Sequence, residues 1–458
     1  MRFLLLEHHF SQDIQEMQRA AQGIELETIP YEHLRAEALR ILPAEVATGL
    51  RAFACDELAG ARRRYAAVLR EMLEDRFSFR PFDAIVVPSD TFFYVREMPQ
   101  IAHALGVPFL VAQKETTISE YTLREHAQEI RRFAPPCADR MTVCSERHKR
   151  FWLNAGGVAE RILVTGQPRL DFYGRQPQRA ERDAATRTHA RGAPARNDAP
   201  GRGTRGAETA ADRDERTVLF LSYAVDAYYP GEASEAPVWA DLHRQTERGL
   251  HELAERGWRV LVKPHPQQSL ERLQAWRREA KGLWGSRIAL VDPQADARPL
   301  IATADAVVGF QSTAMLEAML AGRPVIYTGW DPLALSVGDQ LIPFERWRQE
   351  IAVVDDAASL ADTVEAAAAK PCSASVLSRR RVIAESYLGP LDGHAAERTV
   401  AALREEAERW ADRRGPAERQ LRERLARRRR PLRLARRSRL LSQTLRRRLG
   451  AALGRGAV

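Results

Sequence analysis

The chain has 458 residues, 45% of them hydrophobic, and a formal net charge of +9. That is enough for two or three domains with sizeable cores, and no apolar run approaches the roughly 20 residues that a membrane span needs. The four scattered cysteines (Cys55, Cys137, Cys144, Cys372) lack metal or disulfide spacing and read as reduced structural residues.

The charge is unevenly held. Residues 413–458 carry 17 Arg against two acids (Glu418, Glu423), a net +15, which leaves −6 of the chain's +9 on residues 1–412. A mildly acidic body therefore bears a strongly basic tail. The N-terminal MRFLLLEHHF is too short in apolar residues for a signal peptide and lacks a small-residue cleavage site, so a cytoplasmic location is expected.

In chain order, the pattern predicts strands at 2–6, 84–87, 108–112, 141–144 and 162–165, with helices at 58–76, 97–105, 123–133 and 146–155 between them. Short apolar runs alternating with helical spacing imply βαβ units and a parallel sheet. The pattern breaks at 174–216, which has no aromatic and is rich in Gly, Pro, Arg and Asp. Such a segment buries too little surface to offset its ordering entropy, and it reads as a disordered linker. The rhythm resumes with strands at 217–222, 259–263, 288–292, 306–310 and 324–328. Helices are expected at 239–256, 269–280, 297–303 and 313–321, and closing helices at 357–369, 376–388 and 394–411. The tail from Pro416 reads as one or two helices, with Leu434, Leu441, Leu445 and Leu449 near one face and arginines elsewhere. A basic helix of that kind suits an anionic membrane surface, and a solvated extension fits the composition as well.

The expected architecture is α/β: two Rossmann-like domains facing a cleft. These are an acceptor domain at 1–173, the linker at 174–216, a nucleotide-donor domain at 217–412 and the basic tail at 413–458.

The chemistry gathers at the carboxyl ends of strands in the second half, where open parallel sheets bind ligands. Strand 259–263 runs into Lys263-Pro264-His265-Pro266. The prolines restrict the backbone around His265, which suits a group that must hold a phosphate oxygen, and Lys263 lies on the same side of the extended segment. Strand 306–310 opens onto Gln311-Ser312-Thr313. Ser312 and Thr313 read either as an anion site at a helix start or as a simple N-cap. Glu317 follows Thr313 by four, one turn on along the same face, among apolar neighbours. A carboxylate there can accept hydrogen bonds from both hydroxyls of a ribose.

In the first half, Glu115 and Asp13 are the candidate general bases toward an acceptor hydroxyl. His8, His9 and Asp90 are alternatives, and Asp226 is a further cleft candidate. In Gly166-Gln167-Pro168-Arg169-Leu170-Asp171, Arg169 either reaches a phosphate across the cleft or serves the hinge. There is no HExxH, no Walker A motif, no cysteine pairing, no Asp-x-Asp after a strand and no GxGxxG after the first strand. No metal and no cofactor are expected.

Lys263–Pro266, Gln311–Glu317 and Gly322–Ile326 together resemble the donor domain of GT-B glycosyltransferases, the nearest in pattern being the capsule polysaccharide biosynthesis transferases and the CDP-glycerol glycerophosphotransferases. ILVTGQPRLD, residues 162–171, resembles the VTG-x-P-R-x-D segment near their domain junction. The UDP-N-acetylglucosamine 2-epimerases share the architecture and a similar Ser-x4-Glu element. The resemblance implies that His265, Ser312 and Thr313 contact the donor diphosphate and that Glu317 binds the ribose. It implies a metal-independent transferase that moves a glycosyl or glycerophosphate group. The donor is a nucleotide-activated sugar or CDP-glycerol, and the acceptor is a surface glycan or lipid-linked. A 2-epimerase or a non-catalytic nucleotide-binding assembly protein is the alternative. The expected site is Lys263, His265, Gln311, Ser312, Thr313, Glu317 and Arg169 for substrate, with Glu115, Asp13 and His265 as catalytic groups. No nucleic-acid partner is expected, and the 413–458 tail could hold the protein on the inner membrane face.

Overall fold

The computed structural model describes residues 1–175, 216–225, 238–278 and 287–427, save for 9, 48, 115–117, 266–267, 269–270, 272, 276–277 and 371. Nearly all of the linker, the leucine stripe from Leu434 onward, Glu115, His9, Pro266 and Asp226 lie outside the described residues.

Two six-stranded parallel sheets organise the chain. The first holds β1 (Arg2–Glu7), β2 (Glu25–Pro30), β3 (Ala84–Val87), β4 (Phe109–Ala112), β5 (Arg140–Val143) and β6 (Ile162–Val164), in the order β2-β1-β3-β4-β5-β6. The second holds β7 (Thr217–Leu221), β8 (Arg259–Lys263), β9 (Ile288–Leu290), β10 (Ala306–Gly309), β11 (Val325–Thr328) and β12 (Ala352–Val354), in the order β12-β11-β10-β7-β8-β9. Within its own half the second order is 3-2-1-4-5-6, the Rossmann arrangement, and strand order reverses between β7 and β10. In the first sheet the reversal falls between β1 and β3. The two-domain GT-B-type fold expected from the sequence is therefore present.

Ten of the twelve strands coincide with expected apolar runs. β3 and β4 are buried at every position because helices cover both faces of a parallel sheet. The other two, β2 and β12, are edge strands. β2 reads ELETIP and is half exposed, and its Glu27 pairs with Arg2 and, at 2.6 Å, with Arg76. Charge on an edge strand discourages pairing with other chains, and it also erases the apolar signal.

The C-terminal helices depart from expectation. Helix Ala395–Arg413, expected among the elements closing the second half, lies on the first sheet. Its Val400, Leu403 and Ala407 join Phe3, Leu5, Val86 and Leu110 in one core. Buried Asp171 caps it, accepting from the N–H groups of Ala395 (2.8 Å) and Ala396 (2.9 Å). Helix Pro416–Arg427 follows it onto the Ala59–Phe79 helix, burying Leu425 and laying Arg422 over the ring of Phe77.

The chain crosses from the second half to the first at Gly389, where φ is 83°. A side chain there would overlap the carbonyl oxygen of Cys144. With ψ at −162°, this is a conformation open essentially to glycine, and Gly389→Ala is expected to destabilise by about 1–3 kcal/mol from the backbone alone and by more from the overlap. A thermal melt within about 1 °C of wild type, less than the roughly 2–4 °C that 1 kcal/mol shifts a domain of about 150–250 residues, would show that the crossing is not so tightly packed.

Candidate functional site

Strands β8, β7 and β10 lie side by side, so their carboxyl ends present neighbouring loops. Lys263, the last residue of β8, is buried, and its Nζ donates to the carbonyls of Pro264 (3.0 Å) and Pro293 (2.7 Å). An ammonium has three donors, so one N–H remains beyond these two carbonyls. Burial pushes its pKa down, against the pull of Asp292 and Asp296. His265 is half-buried, and its backbone N–H donates to Gln268 Oε1 at 3.2 Å.

Helix Thr313–Leu320 begins directly after β10. Ser312 is its N-cap, accepting from the N–H of Ala314 at 3.3 Å, so the capping reading is realised. Beyond the cap, the Met315 N–H is bonded to the Ser312 carbonyl at 3.0 Å. Gln311 departs from expectation as a ligand contact. Its Nε2 donates to Tyr327 Oη and to the Ile342 carbonyl, both at 2.9 Å, and its Oε1 accepts from the Ile342 N–H at 2.8 Å. An amide so engaged clamps the β10 loop to the 342 segment.

Glu317 is buried, and its Oε2 accepts from Tyr173 Oη at 3.0 Å, while Arg169 Nε stands 3.9 Å from its Oε1. Burial pushes its pKa up, opposed by Arg169, Tyr173 and Arg298. Thus a residue of the Gly166–Asp171 turn does reach the second half's carboxylate.

Asp13 is also corrected. It is almost wholly buried, accepting from Gln167 Nε2 (2.5 Å) and from the Arg169 N–H (3.1 Å), with Arg169 Nη1 at 3.6 Å. A carboxylate so committed holds the 167–169 turn and, with it, Arg169. It is a positioning residue here rather than an open base.

Several groups that sequence reasoning missed complete the site. Arg298 donates to Asp296 through Nη2 (2.7 Å) and to the Arg169 carbonyl through Nη1 (2.9 Å), and it pairs with Glu16 at 3.3 Å. Glu16 also pairs with Arg175 (2.5 Å) and Arg19 (2.6 Å). Burial would lift the Glu16 carboxyl, but these arginines hold it below the usual range. Gln12 Nε2 donates to Asp296 Oδ1 at 3.1 Å. Together with Tyr173 and Glu317, these bonds latch the two halves across their cleft. At the end of β7, Ser222 Oγ lies 2.9 Å from His243 Nε2, whose Nδ1 lies 3.3 Å from Glu247 Oε1, and Gln268 Nε2 approaches Ser222 at 3.5 Å. Ser222 and His243 are buried and Glu247 is partly exposed, and this hydroxyl–imidazole–carboxylate series fixes the Ser222 hydroxyl beside the His265 loop. Its position after the first strand of the second half was the available signal.

Among the described residues, no cluster of three or more His, Cys, Asp or Glu is placed to hold a metal ion. No helix among them is long and apolar enough to cross a membrane.

No protein-family model matches the chain, and no curated protein matches it. Solved structures do align with it. The putative UDP-N-acetylglucosamine 2-epimerase of Listeria monocytogenes aligns at a TM-score of 0.49 and 12% identity, over 89% of this chain and 97% of that one. The UDP-GlcNAc 2-epimerase of Methanocaldococcus jannaschii aligns at 0.46 and 16%, over 88% and 99%. The Neisseria meningitidis UDP-GlcNAc 2-epimerase bound to UDP-GlcNAc aligns at 0.46 and 12%, over 88% and 100%.

Proposed function

We propose that the cleft binds a nucleotide-activated sugar, or an alcohol phosphate such as CDP-glycerol, and transfers the activated group without a metal to a glycan or lipid-linked acceptor. The observation that supports this most is the convergence of five groups. Lys263, His265 and the Ser312–Thr313 helix start flank the β7/β10 switch point, with Glu317 one turn further and Arg169 brought against it from the other half. Cations and backbone N–H groups at strand ends suit a diphosphate. The buried carboxylate suits the ribose hydroxyls. The same donors, fixed before the reaction, would stabilise charge on the leaving diphosphate.

A second reading, a 2-epimerase acting on a UDP-sugar, is favoured by the latch. A cleft closed by Tyr173–Glu317, Arg298–Glu16 and Gln12–Asp296 suits chemistry on a single enclosed substrate. Incubation with UDP-N-acetylglucosamine alone separates the two, because isomerisation needs no acceptor.

His265→Ala is expected to lower turnover by about 10²–10³-fold, the usual effect of removing one donor to a developing negative charge, with an unchanged melt. A well-folded variant of wild-type activity would remove His265 from the chemistry. Titration with UDP, CDP and CMP tests the premise common to these readings, and absence of binding to all three would overturn them, the non-catalytic nucleotide-binding alternative included.

A further inference from the structure

The first sheet has its own switch point, between β1 and β3, and a cavity of about 810 Å³ lies there. That volume is within the roughly 300–1,000 Å³ of small-molecule sites, and the place is where parallel sheets take ligands. It lies among the loops after β1, β2 and β3 and belongs to no group of the nucleotide site described above.

Its floor is aromatic. His8 stacks on Tyr31, with ring centroids 4.0 Å apart and planes 16° apart, and Phe92 lies 4.5 Å from His8 on a tilt. Phe92 in turn stacks on Tyr94 at 5.4 Å and 14°. The array is fixed from beneath. Tyr94 Oη lies 2.5 Å from His8 Nδ1, and the Tyr65 hydroxyl donates to the Tyr94 carbonyl at 2.7 Å. Burial pushes the Tyr94 phenol well up, so it keeps its proton.

The rim is polar and of both signs: Glu7 and Glu32 are acceptors, Arg35 is a donor, and Gln294 can do either. Gln294 comes from the second half, one residue after the Pro293 carbonyl held by Lys263. The rim of this cavity therefore adjoins the loop that positions the phosphate-site lysine.

We propose that this cavity is a binding site for a neutral pyranose ring. A pyranose presents C–H faces that stack on aromatic rings and an equator of hydroxyls that both donate and accept. Glu7 and Glu32 would accept from those hydroxyls, and Arg35 and Gln294 would donate to them. A cation would meet Arg35 and an anion would meet two carboxylates, so the mixed rim favours an uncharged polyol. This inference rests on the reading of the second half as the nucleotide-binding half and gives the cleft a second substrate, which an isomerase does not need.

The test uses the full chain and saturation-transfer NMR with methyl glucopyranoside and with the disaccharide of N-acetylglucosamine, neither carrying a nucleotide. Tyr31→Ala and the conservative, exposed Glu32→Gln are compared with wild type, and UDP affinity is measured on all three. We expect saccharide binding by wild type, weakened about tenfold or more in each variant, with UDP affinity unchanged. Saccharide binding equal in all three proteins, or choline bound in place of the saccharides, overturns the proposal. UDP binding without any saccharide binding also overturns it and leaves the nucleotide reading intact. Saccharide binding lost in the variants, with no nucleotide bound by wild type, upholds the cavity and removes the nucleotide reading.

Discussion

Glu317→Gln is expected to weaken nucleotide binding by about 10- to 100-fold, because a hydrogen bond to a charged group contributes roughly 1.5–3 kcal/mol. The variant should fold. Its amide oxygen can still accept from Tyr173, and the arginines nearby keep other partners, Arg298 on Asp296 and Glu16 and Arg169 on Asp13. The pH dependence separates binding from packing. Burial raises the Glu317 pKa above the ordinary 4.5, so the fold favours its protonated form. The contribution of this group to stability is fully present below pH 4.5 and is lost as pH rises through the higher folded value. Glutamine has no such loss, so the variant should gain on wild type as pH rises from 4.5 to that folded value, keep the gain above it and show none below 4.5. Ribose hydroxyls favour the ionised carboxylate, so wild-type affinity should rise with pH over the same window while the variant's stays flat. Calorimetric titration across that range checks both, and equal affinity of the two proteins throughout would separate Glu317 from the nucleotide.

Glu406→Ala is expected to be the most destabilising of the changes considered, at about 3–5 kcal/mol. Arg140 in β5 donates to Glu406 Oε2 through Nη2 at 2.7 Å and Nε at 3.2 Å, and both side chains are less than a tenth exposed. Removing the carboxylate leaves a buried guanidinium, although its Nη1 keeps the Glu160 carbonyl at 2.8 Å. Glu406→Gln, which retains an acceptor, should cost less. Trp410 on the same helix stacks on His103, with centroids 4.8 Å apart, so its fluorescence reports whether the helix stays on the first sheet. Denaturant unfolding with the alanine variant as stable as wild type would show that this pair does not hold the helix in place.

The elements that could be read from the sequence are those whose burial leaves an apolar run. AIVV in β3 and AVVG in β10 are buried throughout and stand out. ELETIP in β2 lies at an edge with its acids paired to arginines, and nothing in its composition distinguishes it from a loop. Helix Ala395–Arg413 was legible as a helix, but its partner was not, because an apolar stripe does not say which sheet it covers. Of the candidate site, the positions of Lys263, His265, Ser312 and Glu317 at or just beyond strand ends could be read, because strand ends are marked in the pattern. Glu16 and Arg298 could not. They meet across 282 positions of sequence, and each alone is an unremarked charge on a helix. The aromatic floor was hidden for the same reason, since His8, Tyr31 and Phe92 follow three different strands.

The placement of helix Ala395–Arg413 on the first sheet has a consequence for synthesis. A nascent chain emerging from the ribosome completes β1 to β6 early, yet one apolar face of that sheet, with Phe3, Leu5, Val86 and Leu110, receives this cover only when the helix is made, after the whole second sheet. The half translated first is therefore the half sealed last: until then Phe10, Ile14 and Met17 of the first helical segment cover part of that face, and the uncovered remainder is a surface for a holding chaperone.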